Sequence, residues 1–316
     1  MVTDHLSRSR RNALTQLPLR RDGELRDQVE LIESFKINPA ARTLISSMRG
    51  SLLRRSGDTF EVEFVRIEQT DGATLSYLGE YANAPLFSWF LSPEDEARYA
   101  LPLGAEMTDL RWHLPLLKSE HGGLAAYARG LGYWQSRQRF CGACGSATVW
   151  RSGGHRAVCP SPVCAQEYFP RLDPAMIVLV QFEDACLLGR QAAWPARRYS
   201  TLAGFVEIGE SLEEAVEREV MEEAGVALAS IHYHSSQPWP FPSSLMLGYS
   251  AQASSFDLNV GAELEHARWW RLGEFEQDVR SGELKLPPRT SISYRLISDW
   301  YEELGAGSLS DLQDRF

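Results

Sequence analysis

Two sets of residues in this chain combine type and spacing in ways that chemistry can use. They are glutamates between Gly204 and Val226 and cysteines between Cys141 and Cys164. The first set sits in the run GFVEIGESLEEAVEREVMEEAGV. Ser211 with Glu214 reads as a capping box, and Gly225 as a left-handed helix stop. At about 3.6 residues per turn, Leu212, Ala215 and Val216 mark the inward face of the helix between them. Glu219 falls in line with Leu212, and Glu223 with Val216. Glu222 borders that face, while Glu213, Glu214, Glu217 and Met221 lie opposite. Carboxylates therefore point where apolar side chains belong. A buried anion is costly unless it is paired or holds a cation, and Arg218 is the only basic residue of the segment. Carboxylates at i, i+3 and i+4 on one inward face suit hard divalent cations. A helix that was merely solvated would carry Glu219 and Glu223 on its far side.

The cysteines pose a different chemistry. Cys141-x2-Cys144 is followed, after 14 residues, by Cys159-x4-Cys164. Two knuckles at this separation are the spacing of a zinc ribbon, in which four thiolates close a tetrahedral structural site around one Zn²⁺. Such a site has no open position, so no catalysis is assigned to it. Ser161 and Pro162 widen the second knuckle. Four of the five cysteines fall in this 24-residue stretch, which argues for metal rather than disulfides and fits a reducing, cytoplasmic setting. Cys186 lies in an apolar run and reads as a small core residue.

The spacing G-x5-E-x7-R-E-V-x-E-E-x-G-V resembles the Nudix box of the Nudix hydrolases. After it comes Ser236–Ser244, SQPWPFPSS, whose three prolines make a stiff extended segment unsuited to a central strand. Its rings, Trp239 and Phe241, suit a nucleobase or nicotinamide, or else the core under a surface loop. Ribbon, box and this segment, in that order, resemble the NADH pyrophosphatase family, Nudix enzymes that also remove NAD caps from RNA. The resemblance rests on motifs from about residue 120 onward and on position alone before that. It implies an N-terminal domain, a zinc ribbon and a C-terminal Nudix domain, assembled as a homodimer. The reaction implied is cleavage of NAD(H) to AMP and nicotinamide mononucleotide with two or three Mg²⁺ or Mn²⁺ ions. It implies metal ligands at Glu219, Glu222, Glu223 and the Ala203 carbonyl, and at a downstream glutamate for which Glu263 is the better match and Glu265 the competitor. Either Glu222 or Glu223 would be the general base. Phe205 of one subunit and the Tyr168–Phe169 pair of the other would sandwich the substrate. Gln237, Pro238, Trp239, Pro240, Phe241, Pro242, Ser243 and Ser244 would form the substrate signature, with Ser293 near a backbone contact. Residues 145–158 contain no carboxylate, although some relatives place an acidic substrate contact there. Arg218 is expected to brace the loop by pairing with a box carboxylate, with direct phosphate contact the minority reading, and Glu210 to be structural or to stand just outside the metal ligands. A pyrophosphatase for other nucleotides and a non-catalytic RNA-binding ribbon protein are the competing functions.

Elements must position these groups, and 316 residues suffice for about two domains with a sizeable core. A net charge of −10 excludes a global field that gathers nucleic acid, so an anionic substrate must be met locally. The longest apolar run, Ala175–Val180, is too short to span a membrane. The basic stretch Arg8, Arg10, Arg11 is expected to be a frayed terminus rather than a targeting or nucleic-acid arm. The fold expected is α+β and multidomain: an N-terminal β-rich α/β domain over 1–136, a four-Cys ribbon over 137–170, and a Nudix α/β/α sandwich over 171–316. Alternation predicts a strand over Thr59–Glu68, with others at Thr74–Gly79 and Leu86–Leu91. Leu110–Leu117 reads as strand or loop, with His113 structural. Leu124, Tyr127, Ala128, Leu131 and Trp134 predict a helix over Ser119–Arg139. Later strands are expected at Ala175–Gln181, Ala185–Gln191, Thr201–Val206, Ile231–Ser235, Leu245–Ala251 and Ala267–Arg271, with a final helix inside Pro287–Leu304.

Overall fold

A computed structural model describes residues 4–70 and 73–314. The chain forms two compact units, one of residues 16–172 with 239–243, the other of residues 1–15, 173–238 and 244–316. No helix among the described residues is long and apolar enough to cross a membrane. The chain opens with α1 (His5–Arg11), which belongs to the second unit.

In the first unit, α2 (Val29–Lys36) precedes strands β1 (Arg42–Ser46), β2 (Ser51–Ser56), β3 (Thr59–Val62), β4 (Phe64–Arg66), β5 (Ser76–Tyr81) and β6 (Ala84–Phe90). Then come α3 (Pro93–Arg98), β7 (Ala105–Thr108), α4 (Leu110–His113) and α5 (Ser119–Arg137). The seven strands form one sheet in which β1 and β6 run parallel. The alternating run expected as a single strand is two, β3 pairing with β2 and β4 with β1, and it ends in a 3-10 turn at Ile67–Gln69. Leu110–Leu117 is helical instead. Asp109 accepts from Arg111 N at 2.9 Å and starts α4, and a 3-10 turn follows at Leu114–Leu116. The helix predicted from Leu124, Ala128, Leu131 and Trp134 is present, with all four side chains buried. It lies tight on the sheet: a Cβ on Gly132 would come within 2.3 Å of the Phe90 ring. The ribbon adds β8 (Val149–Arg151), β9 (Arg156–Val158) and β10 (Glu167–Tyr168), a small antiparallel sheet.

The second unit holds β11 (Asp173–Phe182), β12 (Ala185–Arg190), β13 (Leu202–Phe205), α6 (Leu212–Ala224), β14 (Leu228–Trp239), β15 (Ser244–Ala253), β16 (His266–Arg271), α7 (Leu272–Ser281), α8 (Ile292–Glu303) and α9 (Leu309–Asp314). The sheet order is β14-β15-β11-β12-β16, with β13 on β11 and β11 parallel to β15. Side chains alternate along β11 as strand geometry requires. Met176, Val178 and Val180 join Ala215, Val216 and Val220 of α6 in one core. Ile177 and Leu179 join Phe275, Leu296, Ile297 and Trp300 of α7 and α8 in the other. This is the expected α/β/α sandwich. Each fully buried aliphatic side chain contributes about 1.5–3 kcal/mol, so two such faces can carry a few polar groups that oppose folding.

The N-terminal segment departs from expectation. It does not fray: Arg11 pairs with Asp299 at 2.6 Å, Arg8 with Glu303 at 3.0 Å, and Asn12 is buried.

Candidate active site

The box helix is fixed by its ends. Glu214 Oε2 accepts from Ser211 N at 2.7 Å, Ser211 Oγ accepts from Glu214 N at 3.3 Å, and Gly225 terminates the helix at φ 66°. Between them Glu219 and Glu223 are buried, at 9% and 4% exposure, among Ala215, Val216, Val220 and Ala224. Glu213, Glu217, Met221 and Glu222 are exposed. The helical phase read from the sequence is the phase observed.

Strand β13 meets that inward face. A Cβ on Gly204 would lie 1.9 Å from the Glu219 carboxylate carbon, so only glycine lets this carboxylate rest against the strand. Ala203 sits one residue earlier, opposite Ile177 of β11. Burial, then the charges of Glu219 and Glu263, push the Glu223 carboxyl up to about 7, against the pull of a backbone hydrogen bond from Ala203. Glu223 Oε2 is buried with no hydrogen-bond partner. Burial likewise raises Glu219, opposed by its hydrogen bond to Arg218, with Glu222 and Glu263 adding repulsion. These are the signs of carboxylates gathered in one place and incompletely neutralised.

Arg218 offsets part of that charge. It grips Glu210 with two bonds, 2.5 Å from Nε and 3.0 Å from Nη2, and reaches Glu219 at 2.9 Å and Glu222 at 3.2 Å. Its Nη2 also donates to the Phe205 carbonyl at 2.9 Å, and Glu210 accepts from Glu207 N at 2.9 Å. Arg218 thus braces residues 205–210, as the sequence led us to expect. The downstream glutamates differ in their surroundings. Glu263 is the one whose charge acts on both Glu219 and Glu223, whereas Glu265 is paired with Arg190.

The four cysteines converge in the first unit, their sulfurs all within 4.8 Å of one another. Cys141 stands 3.6 Å from Cys164, and Cys144 3.4 Å from Cys159. The wide second knuckle does not prevent closure. Tyr168 belongs to this cluster: its hydroxyl accepts from Gly142 N at 2.9 Å and lies 3.1 Å from Cys141 Sγ, which draws that thiol down to about 6. Its polar end is therefore committed to the cysteine knuckle, while its neighbour Phe169 is 63% exposed. Phe205, in the second unit, is 60% exposed.

The proline-rich segment is divided. Gln237, Pro238 and Trp239 end strand β14, an outer strand of the sheet, where proline is tolerated. Gln237 is buried with its amide fully engaged: Nε2 donates to Ala13 O at 3.1 Å and Thr290 O at 2.8 Å, and Oε1 accepts from Ile292 N at 2.8 Å. Residues 239–243 belong to the first unit. There Trp239 and Phe241 meet edge to face at 5.1 Å, and Phe241 has the guanidiniums of Arg111 and Arg129 each 5.7 Å from its ring centre. Pro240 is buried, Pro242 exposed and Ser243 intermediate. Ser244 is buried at the start of β15. Ser293 is buried too. Its Oγ accepts from Thr201 N at 3.1 Å and lies 2.8 Å from the hydroxyls of Thr201 and Ser200. Thr201 was not singled out from the sequence, because only folding brings α8 to β13.

Residues 170–289 match the NUDIX domain family, and residues 38–134 match the family described as an NADH pyrophosphatase-like rudimentary NUDIX domain. The chain is 40% identical over 222 residues to the NAD-capped RNA hydrolase NudC of Stutzerimonas stutzeri, covering 70% of this chain and 75% of that protein. It is 36% identical over 250 residues to the mitochondrial NAD(P)H pyrophosphatase NUDT13 of Mus musculus, covering 71% and 70%. With the NAD-capped RNA hydrolase NUDT12 of Homo sapiens it shares 36% identity over 252 residues, 72% of this chain and 53% of that one. The chain spans about half the length of the primate relatives it matches. Two sandwich cores, a braced box helix with inward carboxylates, a closed cysteine cluster and these matches agree: the chain belongs to the NADH pyrophosphatase and NAD-cap decapping family of the Nudix hydrolases.

Proposed function

We propose that this protein hydrolyses the pyrophosphate of NAD(H) to AMP and nicotinamide mononucleotide, and that it removes NAD caps from RNA by the same cut. The observation that carries this reading is Glu223: a buried carboxylate with one oxygen unpartnered, its carboxyl raised by burial and then by the charges of Glu219 and Glu263. Such a set fits divalent cations, which return a raised carboxyl to its anion. Glu219, Glu222, Glu223 and Glu263, with the Ala203 carbonyl, would hold two or three Mg²⁺ or Mn²⁺ ions. Bound there, these would neutralise the pyrophosphate, polarise its phosphoryl oxygens and acidify the attacking water. Glu222 or Glu223 would accept that water's proton. Arg218 holds the box and the Phe205 loop in register through its bonds to Glu210 and the Phe205 carbonyl. The exposed rings of Phe205 and Phe169 offer flat faces for a base or nicotinamide in a homodimer. One Zn²⁺ held by Cys141, Cys144, Cys159 and Cys164 would be structural.

The test is turnover of NADH, NAD and NAD-capped RNA against nucleoside triphosphates, with Mg²⁺ and with Mn²⁺. Dinucleotide and cap cleavage should dominate, specific activity should fall on dilution through the dimer equilibrium, and Glu223→Gln should lose at least about a hundredfold. Preference for triphosphates, or near-normal turnover of Glu223→Gln, contradicts the reading.

A further inference from the structure

An outer strand leaves one row of backbone donors and acceptors without a strand neighbour. On β14 the N-terminal segment supplies partners instead. Ser236 N donates to Ser9 Oγ at 3.1 Å, and Asn12 Nδ2 donates to Ser236 O at 2.9 Å and to Ser235 Oγ at 3.1 Å. Both main-chain groups of Ser236 are thus satisfied by side chains from residues 9 and 12. Asn12 is 6% exposed and Ser235 fully buried, so water is a poor substitute there.

The contacts continue inward. The residue after Asn12, Ala13, accepts from Gln237, and Gln237 accepts from Ile292 N at the start of α8. Ser293 follows and takes the Thr201 N–H. Thr201 immediately precedes β13, the strand that carries Ala203, Gly204 and Phe205. Asn12, Ser235, Gln237, Ile292, Ser293 and Thr201 are buried, and Ser9, Ala13 and Ser236 are half-buried. A buried polar group has few alternative partners, so a shift of one member strains its neighbour's bond.

We propose that Asn12 is a positioning residue: acting through Ser236 and Gln237, it fixes the α8 start and thereby the placement of β13 at the substrate side of the site. The proposal rests on the reading of that site given above. Asn12 touches no substrate. Its loss lets β14 and the Gln237 amide shift, so Phe205 is presented less well, while the α6 carboxylates keep their helix.

The experiment compares Asn12→Ala with Arg8→Gln in the 316-residue chain. Arg8 anchors the same segment through the exposed Glu303, whereas Asp299, the partner of Arg11, also bonds His234 of β14 at 3.0 Å, so Arg8 is the cleaner report of anchoring alone. Asn12→Ala should raise KM for NADH about tenfold with kcat within about twofold, the scale of losing a supporting hydrogen bond. Arg8→Gln should leave KM unchanged, whatever small fall in Tm it brings. Amide hydrogen exchange over residues 201–205 should quicken in Asn12→Ala and not in Arg8→Gln. An unchanged KM, an equal KM rise in both variants, or faster exchange confined to residues 235–237 overturns the proposal. If the wild type does not cleave NADH, the site reading fails separately, and the exchange comparison still decides the role of Asn12.

Discussion

Around Cys141, Cys144, Cys159 and Cys164 every sulfur lies within 4.8 Å of the others, whereas Glu219, Glu223 and Glu263 act on one another through their charge. The cysteine group is tied by short turns in its own chain, with the Tyr168 hydroxyl closing one side. The glutamates come from a helix and a distant loop, and one carboxylate oxygen has no partner. A ligand set that is complete in itself can only hold its ion. A set left short of donors can share its ions with a substrate's oxygens. The same contrast separates what each region would do for stability: the thiols would gain from a bound metal, and the buried carboxylates weaken the fold they sit in.

The largest effect that would sharpen this comparison is on the closed site. Cys144→Ser should release zinc and lower the Tm by at least about 5 °C, since a small ribbon folds around its metal. Elemental analysis and calorimetry read both; a wild-type protein free of zinc would sink the ribbon reading. Next comes the open site's dependence on what lies beside it. Phe205→Ala should raise KM for NADH and for capped RNA together, as the loss of stacking worth about 1–3 kcal/mol does, with Mg²⁺ dependence unchanged. Equal KM values in mutant and wild type would assign that ring no contact with substrate.

The smallest effect concerns stability of the chelator-treated protein. The Glu223 carboxyl is raised in the folded state from its usual 4.5 to about 7. Its contribution is therefore fully present below the unfolded value and lost as the pH rises through the folded one. At pH 8 Glu223→Gln should melt higher than wild type by about 2–4 °C, and near pH 4.5 the difference should vanish. A lower Tm for the mutant at pH 8 would mean that the carboxylate is well solvated or paired, and the contrast between the sites would collapse. An enzyme that gains stability when it loses a site residue is one whose site was kept at the fold's expense.

Much of the site was legible because its rules are local. Caps, helical period and the Gly225 stop all lie within Gly204–Val226, so the inward turn of Glu219 and Glu223 could be read before any fold was known. The difference in surroundings between Glu263 and Glu265 was not local. It depends on Arg190, whose strand pairs with β16 and which takes Glu265 as its partner. Gln237 and Tyr168 carried family expectations of substrate contact, yet the fold spends the amide of one on Ala13, Thr290 and Ile292, and the hydroxyl of the other on the cysteine knuckle. Leu110–Leu117 was misread because its apolar spacing is ambiguous over so short a run, and the Asp109 cap outweighs it. The relationship of residues 38–134 to Nudix domains left no motif to read. The helix on that sheet, α5, buries Leu124, Ala128 and Leu131 and so reads as ordinary core packing.

Arg218 has a further consequence for the loop it crosses. With two bonds to Glu210, one to the Phe205 carbonyl, and Glu210 in turn fastened to Glu207 N, residues 205–210 form a splint rather than a tether. The Phe205 ring stands 60% exposed on that splint, with its carbonyl held by Arg218. A flexible loop would forfeit part of its grip each time a ligand arrested it; a loop braced in this way gives up that freedom during folding, and a flat ligand stacked there would keep more of its contact.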